Sequence, residues 1–270
     1  RCLIVDTSNG RELGTFIYEY ETGQAGIIID SSDHNVARQN PADYLKGIEV
    51  TIAGAIAQAK KADPKFNPKN IVGIGVDTTG STPLPVDKDG TPLALLDAYK
   101  NNPNAHAWLW KDHTGYAEAA EITELAKKKH PEYLAKCGGT YSSEWFFSKI
   151  LHCLRTAPEI FDAAYTWVEH ADWIPAVLTG TDHPDKIKRC RCAAGHKAMF
   201  NDSWGGYPDE KFLTKLDPKL GKLRKTLGNK TFAVDQAAGK LTDKWTSKLG
   251  LKAGIPVAIG AFDAHLGAVG

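Results

Sequence analysis

Asp263 stands where a carboxylate can do chemistry. It follows the apolar run Ile255 to Ala261, which reads as a buried strand, and precedes Ala264-His265, which reads as a helix start. In open α/β sheets ligands gather at the carboxyl ends of strands, and a carboxylate there can accept a proton from an alcohol. The same residue also suits an ordinary N-cap, satisfying free amides of the next turn, and its spacing does not choose between the two. A second strand end, Ile71 to Asp77, runs into Asp77-Thr78-Thr79-Gly80-Ser81-Thr82. The amides and hydroxyls of that turn can bind a polyol, or Thr and Ser can satisfy their own backbone while Gly80 supplies an unusual φ.

Two further segments carry reactive or binding groups. Trp110-Lys111-Asp112-His113 puts an aromatic face, a cation and a carboxylate in one loop, a mixture that suits a sugar or merely covers a core edge. Cys192-Ala193-Ala194-Gly195-His196-Lys197 combines small residues with a lysine able to meet an oxygen-rich ligand, unless that lysine is simply solvated. Phosphoryl transfer to an alcohol asks for alignment, charge neutralisation by Mg²⁺ and Lys or Arg, and one carboxylate to take the hydroxyl proton. Asp263 fits the last requirement. Neither a Gly-x-x-x-x-Gly-Lys-Ser/Thr run nor a kinase-type glycine loop occurs, so the nucleotide contacts lie elsewhere or are absent.

The elements that must position these residues alternate. Cys2 to Asp6 and Glu12 to Tyr20 read as a hairpin about Thr7-Ser8-Asn9-Gly10. A sheet rarely opens so abruptly, so an upstream segment is expected and the chain reads as a fragment. Asn40 caps a helix that begins at Pro41 and repeats Leu45, Ile48, Ile52 and Ile56 up to Lys60-Lys61. Ile71 to Asp77 reads as a central strand buried on both faces. A second hairpin is expected from Leu84 to Val86 and Pro92 to Leu95, joined by Asp87 to Gly90. Helices follow at Tyr116 to Lys129 and at Ser143 to Arg155, the latter capped by Ser142 or Ser143, with Glu144 in its first turn and Pro158 just past its end.

Tyr165 to Glu169 reads as a strand feeding a helix from Ala171 to Thr179 that stops at Gly180, with Pro175 tolerated only in a first turn. Lys- and Asp-rich linkers are expected through much of Asp202 to Lys230. Leu241, Trp245 and Leu249 mark a helix closed by Gly250, and the chain stops at Gly270 inside what reads as a helix start. Hairpins followed by alternating strands and helices predict an α/β fold, a mixed sheet flanked by helices. A ribonuclease H-like or actin-like ATPase core is one such arrangement, and the pattern permits others.

With 270 residues, one large core or two small ones are possible. Lys+Arg 33 against Asp+Glu 32 gives a net charge of +1, which supplies no field to draw the chain onto nucleic acid or an anionic membrane. No apolar run approaches the roughly 20 residues of a bilayer span, and no signal pattern opens the chain, so a cytoplasmic protein is expected. The 5 cysteines, odd in number and scattered, predict reduced thiols. Cys190 and Cys192 with His196 lack a second pair at zinc spacing, so no metal site is expected there.

Taken together, Val72-Gly-Ile-Gly-Val-Asp-Thr-Thr-Gly-Ser-Thr82, Leu109-Trp-Lys-Asp-His-Thr114, Tyr141-Ser-Ser-Glu-Trp145, Arg191-Cys-Ala-Ala-Gly-His-Lys197, Ser203-Trp-Gly-Gly206 and Gly260-Ala-Phe-Asp-Ala-His265 resemble the FGGY family of carbohydrate kinases. Their order and intervals favour its L-ribulose branch over the glycerol and xylulose branches, across essentially the whole chain. The resemblance implies an actin-like fold of two domains with the sugar between them, and ATP-dependent phosphorylation of L-ribulose at its 5-hydroxyl. It makes Asp263 the general base and Lys197 a sugar ligand. By the same resemblance Gly80 with Ser81 lies in the segment expected to line the sugar pocket, and Trp110 and Asp112 match the aromatic-acidic loop beside it.

Residues 1–270 would then be the sugar-binding N-terminal domain. That family opens with a phosphate-binding strand and turn that are here expected to precede Arg1, and its nucleotide-binding domain would follow Gly270. The expected ligands are the sugar and ATP with Mg²⁺; a homodimer stays open. The isolated chain is expected to bind sugar weakly and to turn over poorly. Another pentulose or polyol, such as D-ribulose, ribitol or xylulose, stays open as substrate, as does a noncatalytic sugar-binding role.

Overall fold

The computed structural model describes residues 1–269. The chain begins with β1 (Cys2–Val5), β2 (Glu12–Phe16) and β3 (Arg38–Gln39), followed by α1 (Pro41–Ala62). Next come β4 (Asp77–Thr78), β5 (Pro83–Val86) and β6 (Ala107–Trp108). Three helices follow, α2 (Tyr116–Lys129), α3 (Phe146–Thr156) and α4 (Pro158–Ala163), then β7 (Thr166–Glu169) and α5 (His170–Thr179). After β8 (Arg189–Cys190) and α6 (Arg191–Lys197) lie α7 (Glu210–Leu216) and α8 (Pro218–Leu223). The last part holds β9 (Thr231–Phe232), β10 (Ala237–Lys240), α9 (Asp243–Leu249), β11 (Pro256–Ala258), β12 (Ala261–Phe262) and α10 (Asp263–Gly267).

Pairing is mixed, as the alternation predicts. β10 runs antiparallel to β11, while β4 runs parallel to β12 in the register Asp77 with Ala261 and Phe262 with Thr78. A parallel bridge from Ile74 to Val257 extends the same alignment upstream. The ends of two neighbouring parallel strands, Thr78 and Phe262, therefore point the same way. This sets the turn after β4 beside the residue after β12.

The helix α1 forms as the sequence predicts. The Asn40 side chain accepts from the Ala42 amide at 3.0 Å, Pro41 opens the helix, and Lys60 and Lys61 lie in the last turn. Its Ala55 and Ala59 are fully buried against β2, where a Cβ on Gly14 would collide with both. Small residues on each side let strand and helix approach closely, so Ile4 is buried as well. The α9 helix also matches, capped by Thr242 and closed by Gly250 at φ 67°.

Several expectations fail for identifiable reasons. Ile71 to Asp77 is not buried on both faces: Val72 is 66% exposed, and regular strand is confined to Asp77–Thr78. Among the described residues the segment pairs along one edge only, through Ile74 and β4. The hairpin expected from Leu84 to Leu95 is reduced to one bridge between Val86 and Pro92, while β5 pairs with β7 over four residue pairs along its other edge. Leu93–Leu95 winds into a 3₁₀ turn. The second strand of the first hairpin stops at Phe16 rather than Tyr20.

The helix expected from Ser143 starts only at Phe146, without a side-chain cap; the Ser142 hydroxyl accepts from Glu144, outside the helix. Pro175 lies inside α5 rather than in its first turn. Its missing N–H frees the Ala171 carbonyl, and that carbonyl crowds the space a Cβ on Gly260 would need. The stretch from Asp202 to Lys230, expected as linkers, instead contains α7 and α8, whose Phe212, Leu213 and Leu220 are buried against the α2–α4 core. Interleaved lysines hid short amphipathic turns. Asp263–Gly267 does form a helix start, while the expectation at Gly270 lies outside the described residues.

Candidate active site

Asp263 is exposed and begins α10 directly after the buried pair Ala261 and Phe262. The N-cap position belongs to Phe262, and among the described residues the Asp263 carboxylate accepts only from the adjacent Ala264 amide, at 2.7 Å. The N-cap reading of Asp263 is thus not the one adopted. The carboxylate keeps free acceptor positions on the solvent side, which a proton acceptor needs.

Gly80 sits against the Phe262 ring, and a Cβ there would collide with that ring. The glycine is required for close approach, and its backbone is thereby fixed one residue from Asp263. Phe262 is also tied to α6: its amide donates to the Cys192 sulfur at 3.4 Å, while Cys192 meets His265 Nδ1 at 2.7 Å. At the other end of α6, His196 stands edge to face with His265, ring centroids 4.8 Å apart. Partial burial, then the charge of Lys197, pushes the His196 pKa down to about 4, so its ring is neutral.

Lys197 closes α6. It is buried, its ammonium lies 5.3 Å from the centre of the Trp145 ring, and its carbonyl accepts from the Tyr141 hydroxyl at 2.6 Å. Burial holds the Lys197 pKa below the usual lysine range, with Glu144 and Glu169 pulling it back up. Gly80 thus meets Phe262, the neighbour of Asp263, while His265 meets His196, the neighbour of Lys197.

The other expected residues divide. Trp110 is 42% exposed. Asp112 is fully buried and pairs with the buried Arg38, whose guanidinium lies 3.3 Å from the centre of the Trp108 ring. It also accepts from the Ala37 amide at 2.8 Å and the Thr114 hydroxyl at 2.6 Å. Its acceptors are used within the protein, so its part is structural. Ser81 is likewise fully buried, with its hydroxyl donated to Glu169, so its side chain is not free to meet a sugar.

Glu169 and Lys149, both buried at this turn, were not singled out from the sequence. The available signal was Lys149 inside the apolar run Phe146-Phe147-Ser148-Lys149-Ile150-Leu151, where a charge has no solvated face. Among the described residues no group of three His, Cys, Asp or Glu side chains is arranged to hold a metal ion.

In fold the chain matches α/β sugar kinases. A xylulose kinase from Rhodospirillum rubrum aligns with TM-score 0.67 at 20% identity, covering 90% of this chain and 44% of that one. A glycerol kinase from Plasmodium falciparum aligns with TM-score 0.59 at 14% identity, covering 87% and 42%. In sequence, the profile of the FGGY family of carbohydrate kinases, N-terminal domain, matches residues 19–270, and the chain belongs to that family. A ribulokinase from Vibrio parahaemolyticus is 44% identical over 100% of this chain and 47% of its own length. One from Bacillus licheniformis is 38% identical over 98% and 47%. The chain spans about half the length of the curated relatives it matches.

Proposed function

We propose that this chain is the sugar-binding half of an ATP-dependent kinase that phosphorylates L-ribulose at its 5-hydroxyl. The observation that carries the reading is an exposed carboxylate, Asp263, at a strand tip, flanked by the Gly80 backbone and tied to the helix that ends in Lys197. In this reading Asp263 accepts the hydroxyl proton while the sugar oxygen displaces ADP from the γ-phosphorus of ATP. Lys197 and the Gly80 backbone orient the polyol, and Trp110 offers its indole face to the C–H side of the sugar. ATP with Mg²⁺ would be held mainly by a partner domain, since the relatives are about twice as long.

Ribulokinase relatives support L-ribulose among the pentuloses. The test is a panel measured on the protein carrying both halves, comparing kcat/KM for L-ribulose, D-ribulose, ribitol and xylulose. L-ribulose is expected to lead by at least about tenfold, roughly the discrimination one misplaced pocket contact gives. A different leader would correct the substrate, and sugar-dependent thermal stabilisation without ADP release would replace the kinase by a binding module.

A further inference from the structure

Lys149 has no part in the site so far, yet its setting needs an explanation. It sits in α3 with no solvent exposure, where an unpaired ammonium is strongly disfavoured. Its three N–H donors go to three backbone carbonyls: Ser81 at 2.8 Å, Leu109 at 2.7 Å and Trp108 at 3.3 Å. The first carbonyl belongs to the turn that carries Gly80. The other two lie at the end of β6, immediately before Trp110.

Glu169, also buried, holds the same turn from the opposite side, accepting the Ser81 hydroxyl and the Thr82 amide, the latter at 2.8 Å. Ser81 thus stands between a buried cation and a buried anion, its carbonyl on one and its hydroxyl on the other. Burial drives the Lys149 pKa well below its usual range and that of Glu169 up, while each charge favours the other's ionised form. The facing groups are Glu169, Arg38, Glu144 and Lys197, the last of which belongs to the site itself.

We infer that Lys149 is a positioning residue for the sugar pocket, fixing the Gly80 turn and the base of the Trp110 loop relative to each other and to Asp263. The turn is pinned by Phe262 on the Asp263 side and by Lys149 and Glu169 on the inner side. A lysine suits the place because a compact ammonium can serve three carbonyls that converge from different directions, which a planar guanidinium cannot. The inference rests on the reading of the Asp263 site as a sugar site.

The test uses Lys149→Met and Ser81→Ala in the protein carrying both halves. Displacing a pocket wall by about 1 Å can cost up to about 10²-fold in catalysis. Lys149→Met is therefore expected to raise the sugar KM at least about tenfold, leaving the ATP KM within about twofold. Amide exchange should quicken at residues 79–82 and 108–112. Ser81→Ala keeps the carbonyl that Lys149 uses and loses only the Glu169 bond, so a smaller rise of about threefold is expected.

An unchanged sugar KM in folded Lys149→Met, or equal rises in both KM values, overturns the inference. If Lys149→Met does not fold, Lys149→Arg, which keeps the charge but whose planar guanidinium cannot serve all three carbonyls, takes its place, and an unchanged sugar KM there does the same. A wild type that phosphorylates none of the sugars while the exchange pattern still shifts would sink the kinase reading instead and leave the anchoring of the turn standing.

Discussion

At the scale of single residues, two aspartates of similar sequence appeal take opposite parts. Asp263 is exposed and lightly bonded, while Asp112 is sealed and bonded to Arg38, Ala37 and Thr114. The sequence marks Asp263 by its place between a buried strand and a helix start and Asp112 by the aromatic and cationic neighbours of its loop, and it cannot show that Arg38, distant along the chain, consumes one of them. Removing Asp112 leaves a buried guanidinium without its counter-charge, a change that typically costs about 3–5 kcal/mol. Asp112→Ala is accordingly expected to lower the denaturant midpoint by that equivalent. A shift below about 1 kcal/mol would mean that the pair contributes little.

At the scale of elements, helices with local signals were legible and strands paired at long range were not. The Asn40 cap, Pro41 and the apolar repeat give α1 from neighbouring residues alone. By contrast β5 finds its partner in β7, some eighty residues on, and no local turn signal reveals that choice over the nearby Pro92 to Leu95. The start of α5 supplies a pH test. Burial pushes the Asp172 carboxyl up to about 7 from its ordinary 3.8, and pushes the His170 imidazole down to about 3 from 6.5.

Folded Asp172 holds its proton where the unfolded chain has released it. Its stabilising share is therefore complete below about pH 4 and lost as pH rises through about 7. His170 behaves oppositely: its share is present above about 6.5 and is lost as pH falls toward 3. The two windows overlap with opposite slopes, so Asp172→Asn should remove the falling limb between about pH 4 and 7, and His170→Phe, which keeps an aromatic ring beside Tyr44, should remove the rising limb between about pH 3 and 6.5. Equilibrium denaturation from pH 3 to 8 reads both, and limbs unchanged by either substitution would refute the assignment.

At the scale of the whole molecule, the order of short motifs identified the family, because each motif marks a strand end or helix terminus that the fold brings together. What stayed hidden was the layer behind the Gly80 turn, where Lys149 and Glu169 hold it, since a lysine in an apolar run and a glutamate at a strand end carry no sign of their shared target. The account as a whole depends on Asp263 acting as the proton acceptor when sugar and nucleotide halves close. The direct measurement is the turnover of Asp263→Asn in the protein carrying both halves, with L-ribulose affinity measured alongside. We predict kcat lower by roughly 10² to 10⁴ with sugar binding largely kept; near-normal turnover would contradict the mechanism.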